Sequence, residues 1–180
     1  MRIFLLGFMG VGKSTLGMAV AERLHLPFVD LDEWIEDKTE KSITEIFQDY
    51  GEPLFRKLES ENLAEIIRNY DQFIMGTGGG LPCHGTNLDL MKRSGLTIYL
   101  QAGSNELFER LLKSSDKRPM IAGKSPEDQK KLIKSLLNAR DPIYAQAHEI
   151  LNLDLTRTHS ENTRRLEAMI KARLDPVVQK

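Results

Sequence analysis

The chain has 180 residues, 41% of them hydrophobic, which is enough for one domain with a substantial core and too few for two. Lys and Arg number 25 against 26 Asp and Glu, and the resulting net charge of -1 excludes the basic excess of a dedicated nucleic-acid or membrane-surface protein. One cysteine, Cys83, excludes a disulfide framework and a cysteine-based zinc site and fits a reducing compartment.

The first apolar run, Ile3 to Leu6, predicts a strand buried on both faces and leads directly into Gly7-Phe8-Met9-Gly10-Val11-Gly12-Lys13-Ser14. That spacing, G-x-x-x-x-G-K-[ST], is a phosphate-binding loop. Its glycines let successive backbone N–H groups curl toward one point, and the following helix adds its positive end to the anion site. Lys13 can reach the β- and γ-phosphates, and the Ser14 hydroxyl is placed to ligate Mg²⁺, so the loop predicts a magnesium nucleoside triphosphate. The same N-terminal stretch has the look of a secretion signal, but cleavage there would destroy the loop. Cytoplasmic residence is expected, without membrane association.

A helix is predicted from Ser14 to Leu24, with Leu16, Val20 and Leu24 at helical spacing. The second strand, Phe28-Val29, delivers Asp30 and Asp32 to the carboxyl edge of the sheet beside the loop. One can serve a metal and the other an acceptor; either alone could simply cap the helix predicted from Leu31 to Asp37. Two further helices are predicted, Thr44 to Tyr50 and Pro53 to Tyr70, the second opened by Pro53 in an N1-like position. Arg56 sits in its first turns, and spacing alone favours an exposed Glu52 to Arg56 pair, contributing ~0.3 to 0.5 kcal/mol.

The third strand, Phe73 to Met75, runs into Gly76-Thr77-Gly78-Gly79-Gly80, where many loop-containing NTPases carry an acidic residue. Adjacent glycines offer side-chain-free backbone to a close-lying ligand. A helix from Asn87 to Arg93, a strand from Leu96 to Leu100 and a helix from Asn105 to Lys113 follow. The stretch 114–126 is polar and aperiodic, as expected of a mobile lid. In the next helix, Glu127 to Tyr144, Arg140 continues the apolar stripe of Ile133, Leu136, Leu137, Ile143 and Tyr144 and so points inward. An inward guanidinium needs an anion, either Asp30, Asp32 or a substrate carboxylate, unless its charge simply complements the helix C-terminus. A strand from Ile150 to Leu153, a helix from Glu161 to Leu174 and a frayed tail over 175–180 complete the chain. The alternation predicts an α/β fold, five parallel strands flanked by helices on both faces, forming one domain over 1–174 with functional residues just after the strands.

Taken together, Gly7 to Ser14, Asp30-x-Asp32, the Gly51-Glu52 to Arg56 block with Glu59, Thr77-Gly78-Gly79-Gly80, Lys117-Arg118-Pro119 and Arg140-Asp141-Pro142-Ile143-Tyr144 resemble the shikimate kinases, a branch of the nucleoside monophosphate kinase group of P-loop folds. The resemblance spans nearly the whole chain. It implies a three-layer kinase fold and ATP-dependent phosphorylation of the 3-hydroxyl of shikimate, a step in aromatic amino-acid biosynthesis. By that likeness Gly10, Val11, Gly12, Lys13, Ser14 and Thr15 hold the nucleotide, and Arg110 and Arg157 lie beside the adenine. Ser14 and Asp30 serve Mg²⁺. Asp32 binds the acceptor hydroxyls and takes the proton, and Arg56 and Arg140 hold the carboxylate as bidentate forks. Gly78, Gly79 and Gly80 line the acceptor pocket. Lys13 and Arg118 neutralise charge on the phosphoryl group in flight. Met18 departs from the family, many members of which carry arginine there.

A gluconate kinase or a nucleoside monophosphate kinase shares the loop and the fold, but the first lacks the Asp-x-Asp with Gly-Gly-Gly combination and the second needs no carboxylate facing a hydroxyl. A catalytically silent binding module should have lost Lys13, Asp32 or Arg118, and all three are present. A monomer acting on shikimate and ATP, with no nucleic-acid partner, is expected.

Overall fold

The computed structural model describes residues 1–113 and 125–174. The tail 175–180, nearly all of the expected lid, and Arg118 with it, lie outside the described residues. Among those described, five strands form one parallel sheet in the order β2-β3-β1-β4-β5. They are β1 (Arg2–Leu6), β2 (Phe28–Asp30), β3 (Phe73–Gly76), β4 (Leu96–Gln101) and β5 (Glu149–Asn152). Because β1 pairs with β3 on one side and β4 on the other, the chain leaves the sheet in opposite directions at its centre. Such a reversal opens a crevice at the carboxyl ends of the strands.

Strand residues alternate between the two faces. Ile3, Leu5, Ile74, Ile98 and Leu100 point into one core, shared with α1 (Lys13–Leu24), α5 (Ser104–Lys113) and α7 (His159–Leu174). Phe4, Leu6, Phe73, Met75 and Tyr99 point into the other, shared with α2 (Leu31–Thr39), α3 (Ile43–Asn69) and α4 (Asn87–Ser94). Burial on both faces accounts for the continuous apolar reading of β1. The remaining helix, α6 (Pro126–Tyr144), contributes Ile133 and Leu137 to the first core and Tyr144 to the second, so it crosses the end of the sheet where the crevice lies.

Three local outcomes differ from the periodicity. The helices expected on either side of Gly51 are one element bent at that residue, whose φ of 77° and ψ of 175° are left-handed and non-helical. A short 3₁₀ turn, Leu81–Cys83, follows the glycine run and was not anticipated. The start of α6 is one residue earlier than periodicity predicts: Ser125 caps it by accepting from the Asp128 amide at 3.2 Å, with Pro126 in the first turn.

Candidate active site

The phosphate loop joins β1 to α1, and three of its residues have backbone that only glycine adopts readily: Gly7 (φ 145°), Gly10 (φ 77°) and Gly12 (φ 106°). A side chain on Gly7 would also meet the Leu100 carbonyl oxygen at 2.7 Å. Phe8, Met9 and Val11 anchor the loop in the core. The first turn of α1 contains no acidic residue and no side chain caps it, so its amides and dipole remain available to an anion. The Lys13 ammonium lies folded over the loop, donating to the Gly7 and Phe8 carbonyls at 2.9 and 3.0 Å.

Asp30 performs both of the tasks weighed from the sequence. One carboxylate oxygen caps α2 by accepting from the Asp32 amide at 3.0 Å, and the other accepts from the Ser14 hydroxyl at 2.5 Å. Asp32, in the first turn of α2, therefore projects past the phosphate loop toward the glycine run that follows β3. That run is bound to β1 through Thr77, whose amide and hydroxyl both donate to the Leu5 carbonyl, at 3.2 and 2.9 Å.

The three glycines leave room for other side chains as much as for a ligand. A Cβ on Gly78 would stand 2.5 Å from Glu59 Oε1 and 3.0 Å from Asp32 Oδ1, and one on Gly80 would overlap the Arg56 guanidinium at 2.5 to 2.6 Å. A Cβ on Gly79 would lie 3.5 Å from Arg140 Nη1. Four charged side chains from α2, α3 and α6 thus converge on one glycine floor. They line a cavity of about 290 Å³ completed by Met9, Ile43, Phe47 and Phe55. Its lining combines apolar side chains with two carboxylates, beside Gly78, and two guanidinium groups, beside Gly79 and Gly80.

Arg56 makes the pair expected from its spacing, with Nε and Nη2 donating to Glu52 Oε1 at 3.1 and 2.9 Å. Its side chain is nevertheless only 12% exposed, and Nη1 donates to the buried Glu59 at 2.7 Å. The exposed-pair reading therefore fails on burial, because the helix presents Arg56 to the cavity and Glu52 to solvent. Burial, opposed by Arg56 and Arg140 and aided by the Asp32 charge, raises the Glu59 carboxyl to about 7. Its Oε1 accepts no hydrogen bond among the described residues. Arg140 lies over the Phe8 ring, 5.8 Å from its centroid, and faces the same cavity.

A second cleft, of about 440 Å³, opens beside Gly12 and is lined by Leu16, Arg110, Leu155, Thr156, Arg157 and Asn162 among others. Arg110 reaches within 3.6 Å of where a Gly12 Cβ would be. The phosphate loop thus separates a cleft flanked by Arg110 and Arg157 from the carboxylate and guanidinium cavity. Two small molecules, one on each side of the loop, could meet over Lys13.

Comparison with known proteins agrees with that layout. The family model described as shikimate kinase matches residues 9–171. The chain is 44% identical over 146 residues to the shikimate kinase of Azobacteroides pseudotrichonymphae, covering 81% of this chain and 86% of that one. The chain belongs to the shikimate kinase family. The crystal structure of the Bacteroides thetaiotaomicron shikimate kinase superposes with a TM-score of 0.87 at 37% identity, covering 94% of this chain and 98% of that one. A shikimate kinase from Acinetobacter baumannii, solved in complex with shikimate, gives 0.85 at 30% identity over 99% and 95% of the two chains.

Within this family fold, the sequence-predicted residues other than Arg118 line the two cavities or lie on the phosphate loop and the first turn of α1 between them, with Asp30 beside that turn through its bond from Ser14. Less visible from the sequence were Glu59, which stands three residues after Arg56 on the same helix face, and the aromatic wall of Phe47 and Phe55, whose rings lie 4.7 Å apart. The i,i+3 spacing of an acid and a base was the available signal for Glu59. For Phe47 there was none, since it sits on the helix segment before the Gly51 bend.

Proposed function

We propose that this chain transfers the γ-phosphoryl group of ATP to the 3-hydroxyl of shikimate, releasing ADP and shikimate 3-phosphate. Family membership supports the activity, and the convergence of Asp32, Arg56 and Arg140 on one glycine floor is the observation that carries the acceptor assignment. A polyhydroxylated ring acid needs a cationic fork at one end and a carboxylate at the other, and the cavity offers both.

In this reading Arg56 and Arg140 grip the acceptor carboxylate, and the backbone of Gly78, Gly79 and Gly80 admits the ring close to the protein. Asp32 orients the acceptor hydroxyl and receives its proton as the oxygen attacks phosphorus. Phosphoryl transfer demands mainly positioning and charge neutralisation. The Lys13 ammonium would leave its two loop carbonyls for the phosphate oxygens, joined by Arg118. Gly10 to Thr15 would wrap the triphosphate, and Arg110 and Arg157 would flank the adenine in the second cleft.

The pair formed by Ser14 Oγ and Asp30 Oδ2 suits Mg²⁺, which takes hard oxygen donors, few of them from protein, together with phosphate oxygens and water. When bound there, the ion would neutralise charge on the β- and γ-phosphates. A monomeric, cytoplasmic enzyme of one domain over 1–174, closed by a lid across 114–126 and binding neither nucleic acid nor membrane, completes the reading. Among the described residues no helix is long and apolar enough to cross a membrane.

The test is ADP release with Mg²⁺, ATP and single acceptors: shikimate, gluconate, AMP and CMP. Release that depends on shikimate alone is expected. Release with gluconate or a nucleotide but not with shikimate would overturn the assignment.

A further inference from the structure

Four residues beyond Arg140, one turn along the same face of α6, stands a tyrosine that the reaction scheme above does not use. Tyr144 is fully buried, yet its hydroxyl reaches the floor of the acceptor cavity and donates to the Gly79 carbonyl. The Arg140 guanidinium donates to the Tyr144 hydroxyl oxygen in turn. One hydroxyl is thus shared between the glycine floor and the arginine facing it.

The ring has little freedom to place that hydroxyl elsewhere. It packs in the core with Phe4, Met75 and Leu81, and against Tyr99 at 5.1 Å between centroids. Tyr99 donates to Asp141 Oδ1 at 2.5 Å, and Gln101 donates to the same oxygen at 3.2 Å. The last turn of α6 is therefore fastened to β4 on one side of the ring and to the glycine run on the other. Gly79 is the point where this matters: a Cβ there would stand 3.5 Å from Arg140 Nη1, from the Gly7 carbonyl oxygen and from the Met9 amide.

We propose that Tyr144 is a positioning residue for the acceptor, its hydroxyl setting the Arg140 guanidinium against the Gly79 backbone so that the arginine meets the substrate carboxylate in a fixed orientation. This rests on the reading of Arg140 as a carboxylate grip. A long arginine side chain ordered before binding loses less conformational freedom when the ligand arrives, and a planar fork is productive only when correctly turned.

Tyr144→Phe keeps the packed ring and removes only the shared oxygen. Three readouts apply. In the substrate-free protein, the Arg140 guanidinium N–H groups, followed by ¹⁵N NMR, should exchange faster with water in the variant; unchanged exchange would break the physical link whatever the acceptor is. In steady-state kinetics the shikimate KM should rise about ten- to twentyfold, the low end of the scale for one hydrogen bond to a charged group, with the ATP KM within about twofold of the parent. An unchanged shikimate KM, or equal rises in both constants, would reduce Tyr144 to a packing residue. Finally, Arg140→Ala and the double variant Arg140→Ala with Tyr144→Phe should share one shikimate KM, because the tyrosine acts through the arginine. Multiplying effects would contradict that. If the parent instead phosphorylates another acid, the exchange readout still decides the inference and only the acceptor assignment falls.

Discussion

Replacing Gly80 with alanine tests the acceptor cavity at its narrowest point. The backbone there, φ -89° and ψ -23°, suits alanine, so the change carries no conformational strain. The new Cβ would stand 2.5 Å from Arg56 Nη1 and 2.6 Å from both Cζ and Nη2. Restoring ordinary contact requires the guanidinium to retreat by about 1 Å, which stretches its 2.7 Å bond to Glu59 and turns the fork away from the cavity. The displaced atoms are the far end of a flexible side chain, so folding should be nearly unaffected. A misplacement of about 1 Å can cost ~100-fold in a positioned interaction, so the shikimate KM should rise about 10- to 100-fold while the ATP KM stays within about twofold. ADP release coupled to NADH oxidation reads both constants, and a thermal melt checks the fold. A shikimate KM within twofold of the parent, at unchanged Tm, would refute the placement of Arg56 on the acceptor.

Arg56→Ala removes the fork outright and should weaken shikimate binding by ~1.5 to 3 kcal/mol, the scale for hydrogen bonds to a charged group; calorimetric titration showing parental affinity would return Arg56 to a surface-pair role. Asp32→Asn should leave ATP affinity nearly intact and lower kcat by about 100-fold or more, the range for loss of a positioned proton acceptor; surviving turnover would remove that role. Gly78→Ala pushes on Asp32 and Glu59 rather than Arg56, so it should act mainly on kcat, and a pure KM effect would contradict the geometry. Glu59 makes stability depend on pH. Its folded pKa of about 7 lies above the ordinary 4.5, so the folded state holds a proton the unfolded chain has lost, and stability falls as pH rises between those values. At ~1.36 kcal/mol per unit the penalty reaches about 3 kcal/mol above pH 7. Urea unfolding of the parent and Glu59→Gln at pH 4.5 and 8 should show a loss that the variant largely lacks; equal losses would contradict the burial account.

Legibility differed between backbone and site for physical reasons. The phosphate loop was readable because its chemistry imposes spacing on adjacent residues, and the strands because burial on both faces makes them apolar throughout. Asp30 showed why a single role is a poor prior: a carboxylate has two oxygens, and here one caps a helix while the other meets Ser14. Arg56 misled by local spacing, since an i,i+4 pair is visible in a sequence but the direction a helix faces after the Gly51 bend is not. Glu59 and Tyr144 stood in the motifs shared with the family but carried no role there, because their neighbours across the cavity, Asp32 beside Gly78 and the Gly79 carbonyl, are distant in sequence and are brought together only where α2, α3 and α6 meet at the end of the sheet.

A crystal structure of the protein with shikimate and a non-hydrolysable ATP analogue tests the central claim most directly. The account predicts the shikimate carboxylate between Arg56 and Arg140, its 3-hydroxyl at Asp32, and the terminal phosphoryl beside Lys13. Shikimate bound elsewhere, or turned so that its hydroxyls meet the arginines and its carboxylate faces Asp32, would contradict it.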